Sequence, residues 1–398
     1  MAERHNILAL NSGSSSLKFA LYQFGQQEEL LVSGHLTKIG SQDGRFLCHG
    51  KKPDWNLDRQ LTVHDHGVAI ETLLDRLADK KNFPEFDALG HRLVHGGPKH
   101  TQPLLLTPRT IAELRDLSPL ARDHLPHEIE AIELVAKRFP GIKQVACFDT
   151  AFHQNMPRAA KTFALPQHFY DQGIRRYGFH GLSYQYILEY LRQTAGQSTA
   201  QGRLIIAHLG NGASMVAVRN GQSLDTTMGM TPLAGLVMAR RCGDLDPGAV
   251  LYLLREHGLD VNELGRILNT ESGLIGVSGV TWDMEHLLDQ EATNPQAALA
   301  VELFCRQAQK QLGALIMTLG GLDTLVFTAG IGENAPVIRA RIVAGLKFLN
   351  TRLDPERNDA SAPIISSEDS AIVVRVVKTN EELTIARQTF EVVTQNRT

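Results

Sequence analysis

Two segments of the chain share one pattern: an apolar strand enters a turn of small polar residues and re-emerges as a strand. The first reads Ile-Leu-Ala-Leu-Asn-Ser-Gly-Ser-Ser-Ser from residue 7, and the second reads Ile-Ile-Ala-His-Leu-Gly-Asn-Gly-Ala-Ser from residue 205. One such hairpin in each half of the chain predicts a duplicated fold. Small residues let backbone N–H groups approach an anion closely, so the pair predicts two loops that grip opposite sides of a polyphosphate.

The rest of the chain alternates strands and helices, which is typical of an α/β fold. Residues 127–139 predict a helix with Ile129, Ile132 and Val135 on one face, and residues 145–149 predict a short buried strand. A chain of 398 residues is long enough for two domains. We predict domains at 1–150 and 151–398, with the boundary between 150 and 200 and a C-terminal tail that can pack back on the first domain.

Composition excludes several classes of function. A net charge of −3 gives no basic stripe for nucleic acid, and no apolar run has the roughly 18 residues that a membrane-spanning helix needs. The N-terminus has no signal-peptide pattern, and the four cysteines lie far apart, as expected for reduced thiols. The histidines lack the spacing of a zinc site. We therefore expect a cytoplasmic protein that binds neither nucleic acid nor membrane.

The turns themselves carry candidate ligands. In the first turn, Asn11 offers an oxygen to a metal or its water, and Lys18 offers a positive charge to phosphate, although each turn alone also fits an ordinary β-turn. A third glycine turn, at 326–336, superficially matches the dinucleotide fingerprint. That interpretation leaves both hairpins unexplained, so we favour a helix N-terminus beside a nucleotide.

Charged residues follow predicted strands or precede glycine turns elsewhere. Arg92 and Arg241 have the planar fork that suits a carboxylate or a phosphate, although surface salt bridges are the alternative. Asp149 and His180 lie at a strand end and a glycine turn, where a structural hydrogen-bonding role is equally open. The Thr-Asn-Glu-Glu segment at 379–382 fits a helix N-cap.

Eight motifs in a fixed order resemble the acetate kinase family, also called acetate and propionate kinases, over essentially the whole chain. They are N-S-G-S-S-S-L-K at 11–18, G-H-R-L-V-H-G-G at 90–97, C-F-D-T-A-F-H at 147–153, R-R-Y-G-F-H-G at 175–181, A-H-L-G-N-G-A-S at 207–214, R-C-G-D-L-D-P at 241–247, G-I-G-E-N at 330–334 and T-N-E-E at 379–382. The resemblance implies two duplicated α/β domains of the actin/Hsp70/sugar-kinase type around a central nucleotide cleft, the first domain for the acyl substrate and phosphate and the second for the nucleotide. It also implies a homodimer.

The resemblance further implies roles for individual residues. Asn11 and Glu381 would hold Mg²⁺ or Mn²⁺, and Arg92 would bind the substrate carboxylate beside an acyl pocket formed by Val94, Phe179 and Pro232. Asp149, His180, Arg241 and Arg92 would form the catalytic set. The nucleotide, ATP, would contact Lys18, His208, Leu209, Gly210, Asn211, Gly212, Asp283, Met284, Glu285, Gly330, Ile331, Gly332, Glu333 and Asn334.

These residue types suit transfer of the γ-phosphoryl group to the carboxylate of a short acid, acetate or propionate, in a reversible reaction. A carboxylate is ionised at pH 7 and needs no strong base; it needs cations that reduce its repulsion from the phosphoryl group. We expect direct in-line transfer, with Asp149 positioning Arg92 or the metal waters rather than being phosphorylated. Alternatives are a hydroxyl-directed sugar or polyol kinase of the same fold and a non-enzymatic actin-like ATPase.

The chain departs from the family pattern at two informative places. Residues 283–285 read Asp-Met-Glu where the family usually ends in Arg, which leaves the nucleotide preference open at Glu285. Asp123 stands where the family has an apolar residue beside the acyl pocket. Because a buried unpaired carboxylate is costly, we expect Asp123 to turn out toward a cation and to leave the pocket apolar. The alternative is that Asp123 faces the pocket and that the substrate is polar.

Overall fold

The computed structural model describes residues 4–13, 16–122 and 124–395. Asp123, together with Ser14 and Ser15 of the first turn, lies outside the described residues, so the expectation for Asp123 stays a prediction. The chain forms two compact units. The first comprises Met1–Phe152, Gly181–Tyr186 and Asn380–Thr398, and the second comprises His153–His180 and Ile187–Thr379.

The strands are numbered along the chain: β1 His5–Ser12, β2 Ser16–Phe24, β3 Glu29–Thr37, β4 Ser41–Gly50, β5 Leu57–Val63, β6 Ala88–Leu93, β7 Leu104–Leu105, β8 Lys143–Phe148, β9 Leu204–Leu209, β10 Ala213–Arg219, β11 Gln222–Thr226, β12 Thr324–Thr328 and β13 Val373–Val376.

The α-helices are α1 His66–Ala78, α2 Pro108–Asp116, α3 Leu125–Arg138, α4 Arg158–Lys161, α5 Gln167–Asp171, α6 Gly181–Ala195, α7 Gln197–Gln201, α8 Pro247–Glu256, α9 Val261–Arg266, α10 Gly273–Ser278, α11 Met284–Gln290, α12 Pro295–Leu319, α13 Ala329–Asn334, α14 Pro336–Ala344, α15 Pro355–Asp359 and α16 Glu381–Gln395. A π-helical turn at Ile267–Glu271 separates α9 from α10. Among the described residues, no helix has the length and apolar character to span a membrane.

Both units contain the same arrangement of strands. In the first unit the sheet order is β5-β4-β3-β2-β1-β6-β8-β7, and in the second it is β11-β10-β9-β12-β13. Each predicted hairpin forms an antiparallel pair, β1 with β2 and β9 with β10, and the first strand of each pair has a parallel neighbour on its other side, β6 or β12. The mixed α/β fold with two related sheets therefore agrees with the prediction.

The core of the first unit lies on both faces of its sheet. Side chains alternate along β1, so Leu8 and Leu10 face a core shared with α1 and α3, whereas Ile7 and Ala9 face a core shared with α16. Helix α16, at the end of the chain, thus covers one face of the N-terminal sheet. It lies so close to β6 that a Cβ at Gly90 would be 2.7 Å from a methyl group of Ile385.

Candidate active site

At the end of β1, Asn11 meets the first turn of α16. The Asn11 side-chain nitrogen lies 2.8 Å from Glu381 Oε2 and 3.0 Å from Glu382 Oε1, and Asn11 is 6% exposed. Asn380 caps the helix, because its Oδ1 accepts the Leu383 N–H at 3.0 Å. The predicted N-cap and the candidate metal ligands therefore occupy one segment, with the asparagine as the cap and the glutamates facing Asn11.

This group fits a hard cation. Two carboxylates and an amide supply the oxygen ligands that Mg²⁺ prefers, and rotation of the Asn11 amide by half a turn would direct its oxygen toward the glutamates. In the described part of the chain, no three His, Cys, Asp or Glu side chains form a group that could hold a metal by themselves. Mg²⁺ does not require one, since it usually keeps several waters and takes one or two protein carboxylates.

Arg92 and Asp149 form a buried ion pair. Because β6 and β8 are parallel neighbours, Arg92 near the end of β6 and Asp149 just after β8 lie at the same edge of the sheet. Both Nε and Nη2 of Arg92 donate to Asp149 Oδ2, at 3.2 and 2.7 Å, and the two side chains are only 14% and 1% exposed. Arg92 Nη1 also donates to the Ser12 carbonyl at 3.2 Å and lies 3.5 Å from Asn11 Oδ1.

Electrostatic attraction to neighbouring carboxylates therefore fixes the position of the Arg92 guanidinium. Burial acts to lower the pKa of Arg92, but the negative charges of Asp149 and Glu381 and the hydrogen bonds to Asp149 outweigh it and raise that pKa above its ordinary value. The guanidinium is permanently cationic, with its orientation fixed from two sides. Lys18, by contrast, is exposed on β2, opposite Asn11 in the hairpin.

Two further residues of the first unit, which were not candidates on sequence alone, form contacts next to Arg92 and the first turn. Glu128, in the first turn of α3, is 3% exposed, and its two carboxylate oxygens lie 3.3 and 3.1 Å from the backbone nitrogen of Val94. Val94 is itself 2% exposed. His66, the first residue of α1, places Nε2 at 2.8 Å from the carbonyl oxygen of Gly13 in the first turn.

In the second unit, His180 and Arg241 converge on the second glycine turn. A Cβ at Gly212 would lie 2.7 Å from Arg241 Nη2 and 3.3 Å from His180 Nε2, so the ends of both side chains lie against this glycine. His180 has the left-handed φ of 58° and places Nδ1 at 2.8 Å from Ser214 Oγ. Its ring stacks on that of His208, with ring centres 4.1 Å apart.

The loop that carries Arg241 is held by backbone hydrogen bonds. Residues 238–242 bond to residues 268–275 through four of them: Cys242 N to Leu268 O, Ser272 N to Arg240 O, Leu274 N to Met238 O and Ile275 N to Ala239 O, at 2.9–3.1 Å. Ala239 N also donates to the carbonyl of Asn211 in the second turn at 3.1 Å. The π-helical turn and the start of α10 thus position Arg241 against residues 208–212.

The second and third glycine turns lie side by side. Strands β9 and β12 are parallel neighbours with Thr328 opposite His208, so residues 208–212 and α13 follow them at one edge of the sheet. Ala329, at the start of α13, has a left-handed φ of 66°, and its N–H donates to Glu333 Oε1 at 2.8 Å. The Thr379 N–H donates to the same oxygen at 3.1 Å. Glu333 therefore holds the backbone of its own turn.

The remaining predicted residues have structural contacts that sequence alone did not show. Asp283 caps α11, because its Oδ1 accepts the N–H groups of Glu285 and His286 at 3.0 and 3.2 Å. Met284 is buried and Glu285 is exposed. Phe179 is buried and its carbonyl lies 3.0 Å from His153 Nε2, while the Pro232 carbonyl accepts from Arg241 Nη1.

Comparison with known proteins gives consistent matches over nearly the whole chain. The model of the Acetokinase family matches residues 6–387. The acetate kinase of Halothermothrix orenii is 43% identical over 97% of this chain and 99% of its own length, and that of Rhodopseudomonas palustris strain TIE-1 is 45% identical over 96% and 97%.

Solved structures give the same result. A propionate kinase from Francisella tularensis has a TM-score of 0.89 at 37% identity, covering 98% of this chain and 100% of its own. The acetate kinase of Porphyromonas gingivalis has a TM-score of 0.85 at 36% identity, with the same coverage.

Proposed function

This chain belongs to the Acetokinase family, and we propose that it transfers the γ-phosphoryl group of ATP reversibly to the carboxylate of acetate, giving acetyl phosphate and ADP. The observation that carries the proposal is the buried pair of Arg92 and Asp149. Two guanidinium N–H groups donate to one oxygen of Asp149, which stabilises the ionised carboxylate and makes it a poor base. A kinase that phosphorylates a hydroxyl group needs that base, whereas a kinase that phosphorylates a carboxylate needs the oriented cation.

Arg92 binds the acceptor in this proposal. Acetate is already ionised and attacks without losing a proton, so the site has only to bring one anion to another. With Nε and part of Nη2 committed to Asp149 and Nη1 to Ser12, the guanidinium presents its remaining N–H to the acetate carboxylate. Val94, Phe179 and Pro232 are assigned to the methyl end, which accounts for a short acid such as acetate or propionate.

His180 and Arg241 act on the phosphoryl group. Both side chains lie at Gly212, in the turn proposed to hold the phosphates together with residues 330–334. Positive charge there stabilises the charge that builds up on the phosphoryl oxygens as the bond to ADP breaks. Ser214 orients His180, and the π-helical turn orients Arg241, so neither side chain needs to reorganise during the reaction.

Mg²⁺, or Mn²⁺, would be held by Glu381 and Asn11 with Glu382 beside them, and when bound it would neutralise charge on the ATP phosphates. The proposal also includes a homodimer in the cytoplasm, on the strength of the family resemblance. Four free thiols, Cys48, Cys147, Cys242 and Cys305, accord with a reducing compartment.

The test is ADP release by the purified protein with ATP and Mg²⁺, given acetate, propionate, glycerol or no acceptor. We expect ADP with the two acids, together with an acyl phosphate that hydroxylamine converts to a hydroxamate. If ADP is released with glycerol but with neither acid, the protein is a hydroxyl-directed kinase. If the same amount of ADP is released with and without an acceptor, it is an ATPase.

A further inference from the structure

Glu128 is a buried carboxyl group behind the pair of Arg92 and Asp149, and the reaction described above does not use it. It is 3% exposed, on a helix whose other acidic side chains, Glu130 and Glu133, are about half exposed. Both of its oxygens face one backbone donor, the Val94 N–H, which directly follows Leu93 at the end of β6. The group thus contacts the backbone of Val94, which is proposed to line the acyl pocket and lies two positions after Arg92 in the chain.

A backbone N–H alone compensates a buried carboxylate poorly, because the charged form loses far more hydration than one neutral donor returns. Burial accordingly raises the pKa of Glu128 to about 8. The positive charge of Arg92 opposes this rise, and the negative charge of Asp149 reinforces it. Glu128 therefore carries a proton at neutral pH and becomes a further negative charge near Arg92 in mildly alkaline solution.

The charged groups that face Glu128 come from the sheet. Arg92 on β6 and Asp149 after β8 act on it directly. Helices α1 and α2 also pack on α3, but their titratable groups meet other residues: His66 of α1 stacks on His127, and Arg115 of α2 pairs with Glu133. The charge of Glu128 is thus coupled to the proposed carboxylate site rather than to the surface of the helix.

We propose that Glu128 is a positioning residue that holds Val94 in the acyl pocket and, through its charge, sets how tightly Arg92 binds the substrate carboxylate. The inference rests on the proposed function. Neutral Glu128 leaves Asp149 and Glu381 as the negative charges that act on Arg92, so the guanidinium retains positive potential for acetate. Ionised Glu128 adds a further counter-charge and repels the incoming carboxylate, so acetate binding weakens as the pH rises through about 8.

The test is the KM for acetate and for ATP, with kcat, of the wild type and Glu128→Gln between pH 7 and 9. Glutamine keeps an oxygen for the Val94 N–H but cannot ionise. In the wild type we expect the KM for acetate to rise about tenfold over this range, the effect of one charge on another across several ångström of protein interior. The KM for ATP should stay constant. In Glu128→Gln the KM for acetate should be flat, with kcat at pH 7 within about threefold of the wild type.

Glu130→Gln is the matched control, because Glu130 lies in the same helix turn with a side chain 51% exposed. It should reproduce the wild-type profile. A wild-type KM for acetate that is flat from pH 7 to 9 overturns the inference without any variant, even if Glu128→Gln does not fold. A rise that persists in Glu128→Gln also overturns it, because a group other than Glu128 would then cause the rise. If acetate is not phosphorylated at any pH, the proposed function itself has failed.

Discussion

Replacing Gly273 by alanine should displace Arg241 and impair its role without changing the arginine itself. Gly273 begins α10 with φ +65°, and an alanine Cβ there would lie 2.6 Å from the Arg241 carbonyl oxygen and closer still to that of Met238. Real Cβ atoms essentially never approach a heavy atom to within 3.0 Å. Both obstacles are backbone atoms of the loop that carries Arg241, so this loop has to move.

Two costs follow from this geometry. A left-handed alanine costs roughly 1–2 kcal/mol, which lowers the free energy of unfolding. Relief of the overlap displaces the loop by about 1 Å, and a misplacement of that size at a catalytic group can lower turnover about 10²-fold. We therefore expect kcat to fall about 100-fold, while the KM for acetate, whose proposed ligand Arg92 belongs to the first unit, changes much less.

Gly279→Ala is the matched control for strain. Gly279 follows the same short helix with φ +68°, but a Cβ there would meet open space. It should lose similar stability in a thermal melt and keep its kcat. Our account of the Arg241 loop is refuted if Gly273→Ala keeps a kcat within about threefold of the wild type, or if both variants lose kcat equally.

Three further predictions concern charge. Arg92→Ala and Arg241→Ala should each lower kcat by about 10³-fold in a phosphoryl-transfer assay. If either variant keeps a tenth of the wild-type kcat, the replaced arginine does not belong to the active site. Glu381→Ala should recover activity only at raised Mg²⁺ concentration. If its activity depends on Mg²⁺ concentration as that of the wild type does, residues 379–382 serve only as a helix cap. Burial lowers the pKa of His91 and of His153 to about 4. Between the ordinary histidine pKa of about 6.5 and pH 4, both side chains are therefore protonated in the unfolded chain but not in the folded chain. Stability should therefore fall as the pH is lowered from about 6.5 toward 4, and a thermal midpoint that stays constant over that interval contradicts the assignment.

The sequence predicted those parts of the fold that repeat or that end a strand. The two hairpins were recognisable because each combines an apolar strand with a turn of small residues, and both form as expected. Arg92 and Asp149 were identifiable as candidates because each comes at the end of a strand. Their contact follows from the parallel pairing of β6 with β8, which cannot be predicted from a single sequence.

Residues that act through long-range contacts were not predictable. Glu128 reads as an ordinary acidic residue in the first helical turn, where it would favour the dipole, and only the packing of α3 on the sheet buries it. Gly273 reads as one glycine among 34, and its role depends on carbonyl groups more than 30 positions away. The roles assigned to the site residues remain predictions that the experiments above test.

Isotope transfer tests most directly whether an oxygen of the acid attacks the γ-phosphorus. The enzyme would be given ATP and acetate labelled with ¹⁸O in both carboxylate oxygens, and the product would be cleaved with hydroxylamine, which attacks the acyl carbon and releases phosphate. Our account predicts that this phosphate carries one ¹⁸O atom, because the bridging oxygen comes from acetate. Phosphate without ¹⁸O, released at the same rate as ADP, would show transfer to water or another acceptor and would contradict the account.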